Sequence, residues 1–232
     1  MPGSVELFIW FLGTAFELAF VVCSIARRSF FTYFFLNLYM LVTMLADVAR
    51  WLVLRNCGFD SPQYMHCYYY TDALLTVLLY VSLISLYSRV FGELRFAKHM
   101  RLAAVVLLLG TAGFSYAVVA QSEKRLYTTD FACQLSQNLY FVGIVLTYLL
   151  WGAVLKLRET RTRLVQIVLS LGLYFSAYAA SYALYNVAPQ YGLVRYAGGA
   201  IGCLLPLAWC ITIMRYSEEA RLAPAQLLAV PR

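Results

Sequence analysis

LFIWFLGTAFELAFVVCSIARR, residues 7–28, is the stretch on which the fold turns. Leu7 to Ala26 holds a single acidic or basic side chain, Glu17, and two arginines, Arg27 and Arg28, close the run. A helix rises about 1.5 Å per residue, so a run of this length covers the roughly 30 Å hydrocarbon core of a bilayer. Lys and Arg collect on the cytoplasmic side of a membrane, so the arginine pair at the far end gives the run a direction. The segment reads as a membrane helix entered from outside. A secretory signal carries its basic residues ahead of the apolar run, so no cleaved leader is expected.

Six further apolar segments follow, and the expected helices are 5–25, 30–54, 67–91, 101–121, 131–155, 163–186 and 192–214. Composition agrees: of 232 residues, 62% are hydrophobic and 12% charged, about half the charged share of an ordinary soluble domain. The expectation is an all-α, seven-transmembrane-helix bundle in which residues 1–232 form a single domain. Thirteen of the eighteen Lys and Arg fall on the Arg27 side of the segments and five, Arg50, Arg55, Lys124, Arg125 and Arg195, on the other. The amino terminus is therefore expected outside and the carboxyl terminus in the cytoplasm, with the chain integral to the cell (inner) membrane. The net charge of +7 is read as this topology signal, with anionic lipid headgroups as partners of the basic loops and no nucleic-acid partner.

Cys23, Cys203 and Cys210 lie inside helices, where they act as small apolar residues. Cys57, Cys67 and Cys133 lie at the outer face, which permits oxidation. A Cys57–Cys67 bridge closes the shortest loop and is preferred to Cys67–Cys133; three reduced thiols are the alternative.

Polar groups inside the spans carry the functional reading, because ionisable side chains in hydrocarbon face the bundle interior. Glu17 and Asn37 sit at similar depth and are close enough in register to meet. Asp47 and Arg50 share one helical face, three residues apart, and Asp72 enters the third helix near the depth of Arg50. An ion pair from Arg50 to Asp47 or Asp72 follows. Gln134, Gln137 and Asn138 add an amide face, and Arg195 opens the seventh helix. Asp47, Arg50, Asp72, Gln134, Asn138 and Arg195 are the candidate ligand pocket. The competing reading is interhelical glue, the commoner use of such residues.

In the sixth helix Gln166, Ser170, Tyr174, Tyr178 and Tyr182 recur at i+4, a row expected to pack against neighbours through its hydroxyls. Gly198 and Gly202 form a G-x-x-x-G pair suited to close helix approach, and Pro206 is expected to kink the seventh helix. Pro62-Gln63-Tyr64 recurs as Pro189-Gln190-Tyr191 ahead of the third and seventh helices, a hint of a 3+1+3 repeat.

No cofactor is expected. The only lysines, Lys98, Lys124 and Lys156, lie at loops or helix ends, which excludes a covalently bound retinal. His66 and His99 lie at opposite faces and suit neither an intramembrane haem nor a zinc site, so no metal is expected either. A Ser-His protease dyad lacks a histidine at membrane depth.

Phe16-Glu17-Leu18, Arg27-Arg28-Ser29-Phe30 with Tyr33, Asp47 with Arg50, Tyr68-Tyr69-Tyr70-Thr71-Asp72 and Leu86-Tyr87-Ser88-Arg89-Val90-Phe91 resemble a group of uncharacterised bacterial seven-helix membrane proteins. The resemblance covers mainly the first hundred residues and implies the fold, with no activity attached. The expected function is non-enzymatic: sensing or binding a small ligand, or serving as an accessory subunit beside another membrane protein. The alternative is a small-solute transporter of 3+1+3 type.

Overall fold

The computed structural model describes residues 4–90, 97–120, 127–156, 162–187 and 192–217. They form seven helices: α1 (Ser4–Ala26), α2 (Phe34–Cys57), α3 (Pro62–Val90), α4 (Ala97–Ala120), α5 (Tyr127–Lys156), α6 (Thr162–Val187) and α7 (Gly192–Arg215). There are no strands among the described residues. All of these helices except α4 are long and apolar enough to cross a membrane; the apolar part of α4 is the shorter Val105–Ala120.

Sequential neighbours pack along α1–α2–α3 and along α5–α6–α7, α3 packs against α5, and α1 packs against α7. Six helices thus close into a ring. α4 lies outside it, against α5 and, less extensively, α3.

The ring is filled by large side chains. Phe20 of α1 and Tyr39 of α2 both meet the Trp209 indole of α7. The Tyr39 and Tyr174 hydroxyls are 3.5 Å apart across the ring. Tyr140 stacks on Tyr178 with ring centroids 5.0 Å apart, joining α5 to α6. The outward faces are apolar as well, with Phe11, Leu45, Leu109, Leu149, Leu173 and Leu204 exposed.

Short polar stitches cross the helix contacts. Ser82 donates to the Phe35 carbonyl at 3.0 Å, Trp151 to the Val168 carbonyl at 3.0 Å, and Trp209 to Ser170 at 2.9 Å. The Tyr87 hydroxyl donates to the Leu146 carbonyl. In an apolar interior each such bond satisfies a group that has no water to turn to. The expected α6 row behaves this way: Ser170 accepts from Trp209, Tyr174 meets Tyr39, and Tyr178 donates to the Gly198 carbonyl at 3.1 Å. The side chain of Tyr182 lies outside the described residues.

Several expected boundaries move, for local reasons. α3 begins at Pro62 and not at 67, because Ser61 caps it: its hydroxyl accepts from the Tyr64 N–H at 3.2 Å, with proline at the first helical position. α2 begins at Phe34 and not at 30. Ahead of it, α1 ends in a Schellman turn, with Ser29 N–H donating to the Ser24 carbonyl at 2.9 Å and Arg28 N–H to the Ile25 carbonyl at 3.0 Å. Arg28 takes the left-handed position of that turn, φ 52°. Asn37 then ties the reversal, its amide donating to the Phe30 and Tyr33 carbonyls at 3.2 and 2.9 Å.

Close approach at glycine also falls elsewhere than expected. A Cβ on Gly198 meets nothing within 4 Å, and one on Gly202 meets only the Tyr178 hydroxyl at 3.5 Å. The tight positions are Gly143, where a Cβ comes within 2.5 Å of the Phe175 ring, and Gly172, within 2.5 Å of Trp151. The α5–α6 contact is the close one because each helix offers a glycine to an aromatic ring of the other.

Candidate functional site

The polar cluster lies where α1, α2 and α3 meet, towards the end that carries the α2–α3 turn. Thr14 and Glu17, three residues apart, share a face of α1 that looks towards α2. Thr14 donates its hydroxyl to Asp47 at 3.1 Å. Asp47 also faces Arg50, one turn along α2, with the nearest N···O distance 3.8 Å. That separation is at the long end for an ion pair, because the guanidinium is drawn mainly towards α3. There Arg50 Nε donates to the Thr71 hydroxyl at 2.7 Å and Nη2 to the Tyr68 carbonyl at 3.3 Å, with the guanidinium carbon 4.6 Å above the Tyr68 ring. Thr71 in turn donates back to the Cys67 and Tyr68 carbonyls.

Glu17 is the most deeply enclosed acid of the cluster, 6% exposed, and its Oε2 has no hydrogen-bond partner. The charges that act on it are those of Asp47 and Arg50. Burying a carboxyl oxygen without a hydrogen-bond partner is costly. Glu17 and Asn37, though at similar depth, make no hydrogen bond to each other. The Asn37 amide is spent on the turn carbonyls and its Oδ1 is itself unpartnered.

The remaining candidates disperse. Asp72 makes no ion pair with Arg50, since Thr71, one residue earlier, takes the guanidinium; Asp72 is turned to α5, facing Ser136 without a formed hydrogen bond. Asn138 points away from the ring and donates to Ser115 of α4 at 2.9 Å. It lines a largely apolar groove of about 510 Å³ between α4 and α5, with Thr111, Phe114 and Phe141. Gln134 is half-buried near the start of α5, and Gln137 reaches Cys133 Sγ at 3.7 Å. The Arg195 side chain lies outside the described residues. Among the described candidates, Asp47 and Arg50 are paired and act electrostatically on Glu17, whereas Asp72 and Asn138 turn to other helices.

Thr14, Thr71 and Tyr68 complete the cluster and were not among the expected residues. Their signal is spacing: Thr14 sits at i−3 of Glu17, and Tyr68 and Thr71 lie beside Asp72 on the turn that faces Arg50.

All six cysteines are free thiols. The expected Cys57–Cys67 bridge is absent because Cys57 ends α2 exposed, whereas Cys67 lies inside α3, which starts five residues earlier than anticipated. Comparison with known protein families, curated proteins and solved structures finds no match to this chain.

Proposed function

We propose that this chain is a multi-pass protein of the bacterial inner membrane, amino terminus outside and carboxyl terminus cytoplasmic, that binds a small cationic ligand without catalysis. The observation that carries the reading is the Glu17 carboxyl, enclosed and short of a partner below the Asp47–Arg50 pair. Two acids stand against one guanidinium, and that guanidinium is committed to α3. The cluster therefore has acceptor capacity left for a cation, such as a protonated amine. An apolar exterior around a polar interior point supports the membrane setting, and the thirteen basic residues on one side support the orientation. The role is that of a sensor or an accessory subunit that passes occupancy to another membrane protein.

Thermal unfolding of the purified protein with a panel of small primary and quaternary amines tests this. A ligand that binds the native state alone raises the melting temperature with concentration. The rise is expected in the wild type and lost in Glu17→Gln. No response to any amine, or an equal response in the variant, counts against the site.

A second reading, a small-solute transporter, is favoured by one feature of the architecture: three helices on either side of α4, with α4 outside the ring, is the layout of a 3+1+3 repeat. Amine flux into proteoliposomes distinguishes the two, since a sensor or subunit gives none.

A further inference from the structure

In the α1–α7 contact, at the end of the bundle opposite the acidic cluster, the Cys210 sulfur of α7 neighbours two others, one from each helix. Cys210 Sγ lies 3.5 Å from Cys23 Sγ and 3.8 Å from Met214 Sδ. Cys210 and Met214 are one turn apart in α7, so the helix itself sets their spacing. Cys23 comes from the last turn of α1. Two sulfurs bound to one metal at about 2.3 Å, with angles between tetrahedral and trigonal, stand roughly 3.8–4.0 Å apart. The two separations from Cys210, 3.5 and 3.8 Å, fall within about half an ångström of that, and rotation of the unbranched Met214 side chain brings the third sulfur into place.

We propose that Cys23, Cys210 and Met214 form a three-coordinate binding site for a soft monovalent metal ion, Cu(I). Two thiolates and a thioether are the donor set that soft ions select over Zn(II), which takes nitrogen and oxygen donors readily and asks for a fourth ligand. Binding releases the two thiol protons and leaves a complex with one net negative charge, with no change in oxidation state. Arg27, whose Nη2 donates to the Met214 carbonyl at 3.0 Å, places a positive charge beside it. Access is graded: Cys210 is 9% exposed, whereas Met214 is 53% exposed and offers the ion its first contact. The site shares no residue with the Glu17 cluster and does not depend on it.

The test is competition for Cu(I), supplied as its bicinchoninate complex, by the reduced full-length protein in detergent. Wild type and a Cys57→Ser/Cys67→Ser/Cys133→Ser variant are each expected to take one Cu(I) per chain. Cys23→Ser and Cys210→Ser are expected to take none at the same competitor concentration. Met214→Leu is expected to bind roughly tenfold more weakly, since even contacts outside the first shell of a metal are worth that much. X-ray absorption on the loaded wild type, which needs no variant to fold, should find three sulfur neighbours. Failure of the reduced wild type to compete overturns the proposal, as does undiminished binding in both serine variants or a coordination shell with nitrogen or oxygen.

Discussion

Arg50 holds two helices at once: its Nε and Nη2 engage Thr71 and Tyr68 of α3 while Asp47 shares its own helix. Both side chains of the Asp47–Arg50 pair are only 13–14% exposed. Arg50→Ala strips these contacts and leaves two acids without their cation. The expected loss is about 3 kcal/mol, the lower end for breaking a buried pair because the 3.8 Å separation is long. Chemical or thermal unfolding in detergent reads it, and an unchanged stability would mean that water already solvates the cluster. Glu17→Gln should act the other way. It keeps the volume and replaces the carboxyl oxygen that has no partner, so stability holds or rises while amine binding disappears. At this scale the sequence is informative about proximity within one helix and silent about direction. The i, i+3 spacing of Asp47 and Arg50 was legible. That Asn138 turns out to Ser115 was not, because nothing in a helix that is apolar all round says which side faces which neighbour.

Elements begin and end where capping chemistry dictates, and that chemistry is local enough to alter one residue at a time. Ser61→Ala removes the α3 cap and should cost about 1 kcal/mol, the usual value of an N-cap hydroxyl. Arg28 occupies the left-handed position of the α1 Schellman turn, where glycine is at ease, so Arg28→Gly should stabilise by a few tenths to about 1 kcal/mol. Both effects are read as shifts in the unfolding midpoint, and a stabilising Ser61→Ala or a destabilising Arg28→Gly would remove these caps from the account. Gly172→Ala should be severe, with its Cβ driven to 2.5 Å from the Trp151 ring, whereas Gly198→Ala should be tolerated. The Ser-Pro at 61–62 was a readable start signal; hydropathy alone put the start of α3 at 67, because Gln63, Tyr64 and His66 dilute the apolar count at its head. The Gly143 and Gly172 positions were not readable. They are single glycines, and only the aromatic ring delivered from the facing helix makes them matter.

For the whole molecule, the count of helices and their all-α character followed from run length and composition, while the order in which they pack did not. Helices bathed in lipid lack the polar stripe that marks an outer face in soluble bundles, so the placement of α4 outside the ring had no signature in its sequence. The orientation is open to a direct measurement. A reporter active only in the cytoplasm should work when fused after Arg232 and fail when inserted after Cys57; the opposite pattern would invert every assignment of inside and outside.

Closure of the ring by α1 against α7 sets a timetable for biosynthesis. The Phe20, Cys23 and Ile9 face of α1 is finished early in translation, yet its partners Trp209, Cys210 and Cys203 come from the last helix. At about 5–20 residues per second the ribosome needs roughly ten to forty seconds to deliver them. Throughout that interval α1 carries Glu17 with its seam open to lipid or to whatever attends the nascent chain, and α6 waits with Arg163 for the Ile213 and Tyr216 carbonyls that will cover it. A chain arrested after α6 therefore presents two helices without their α7 partner, the kind of mark by which a membrane protease tells an unfinished product from a finished one.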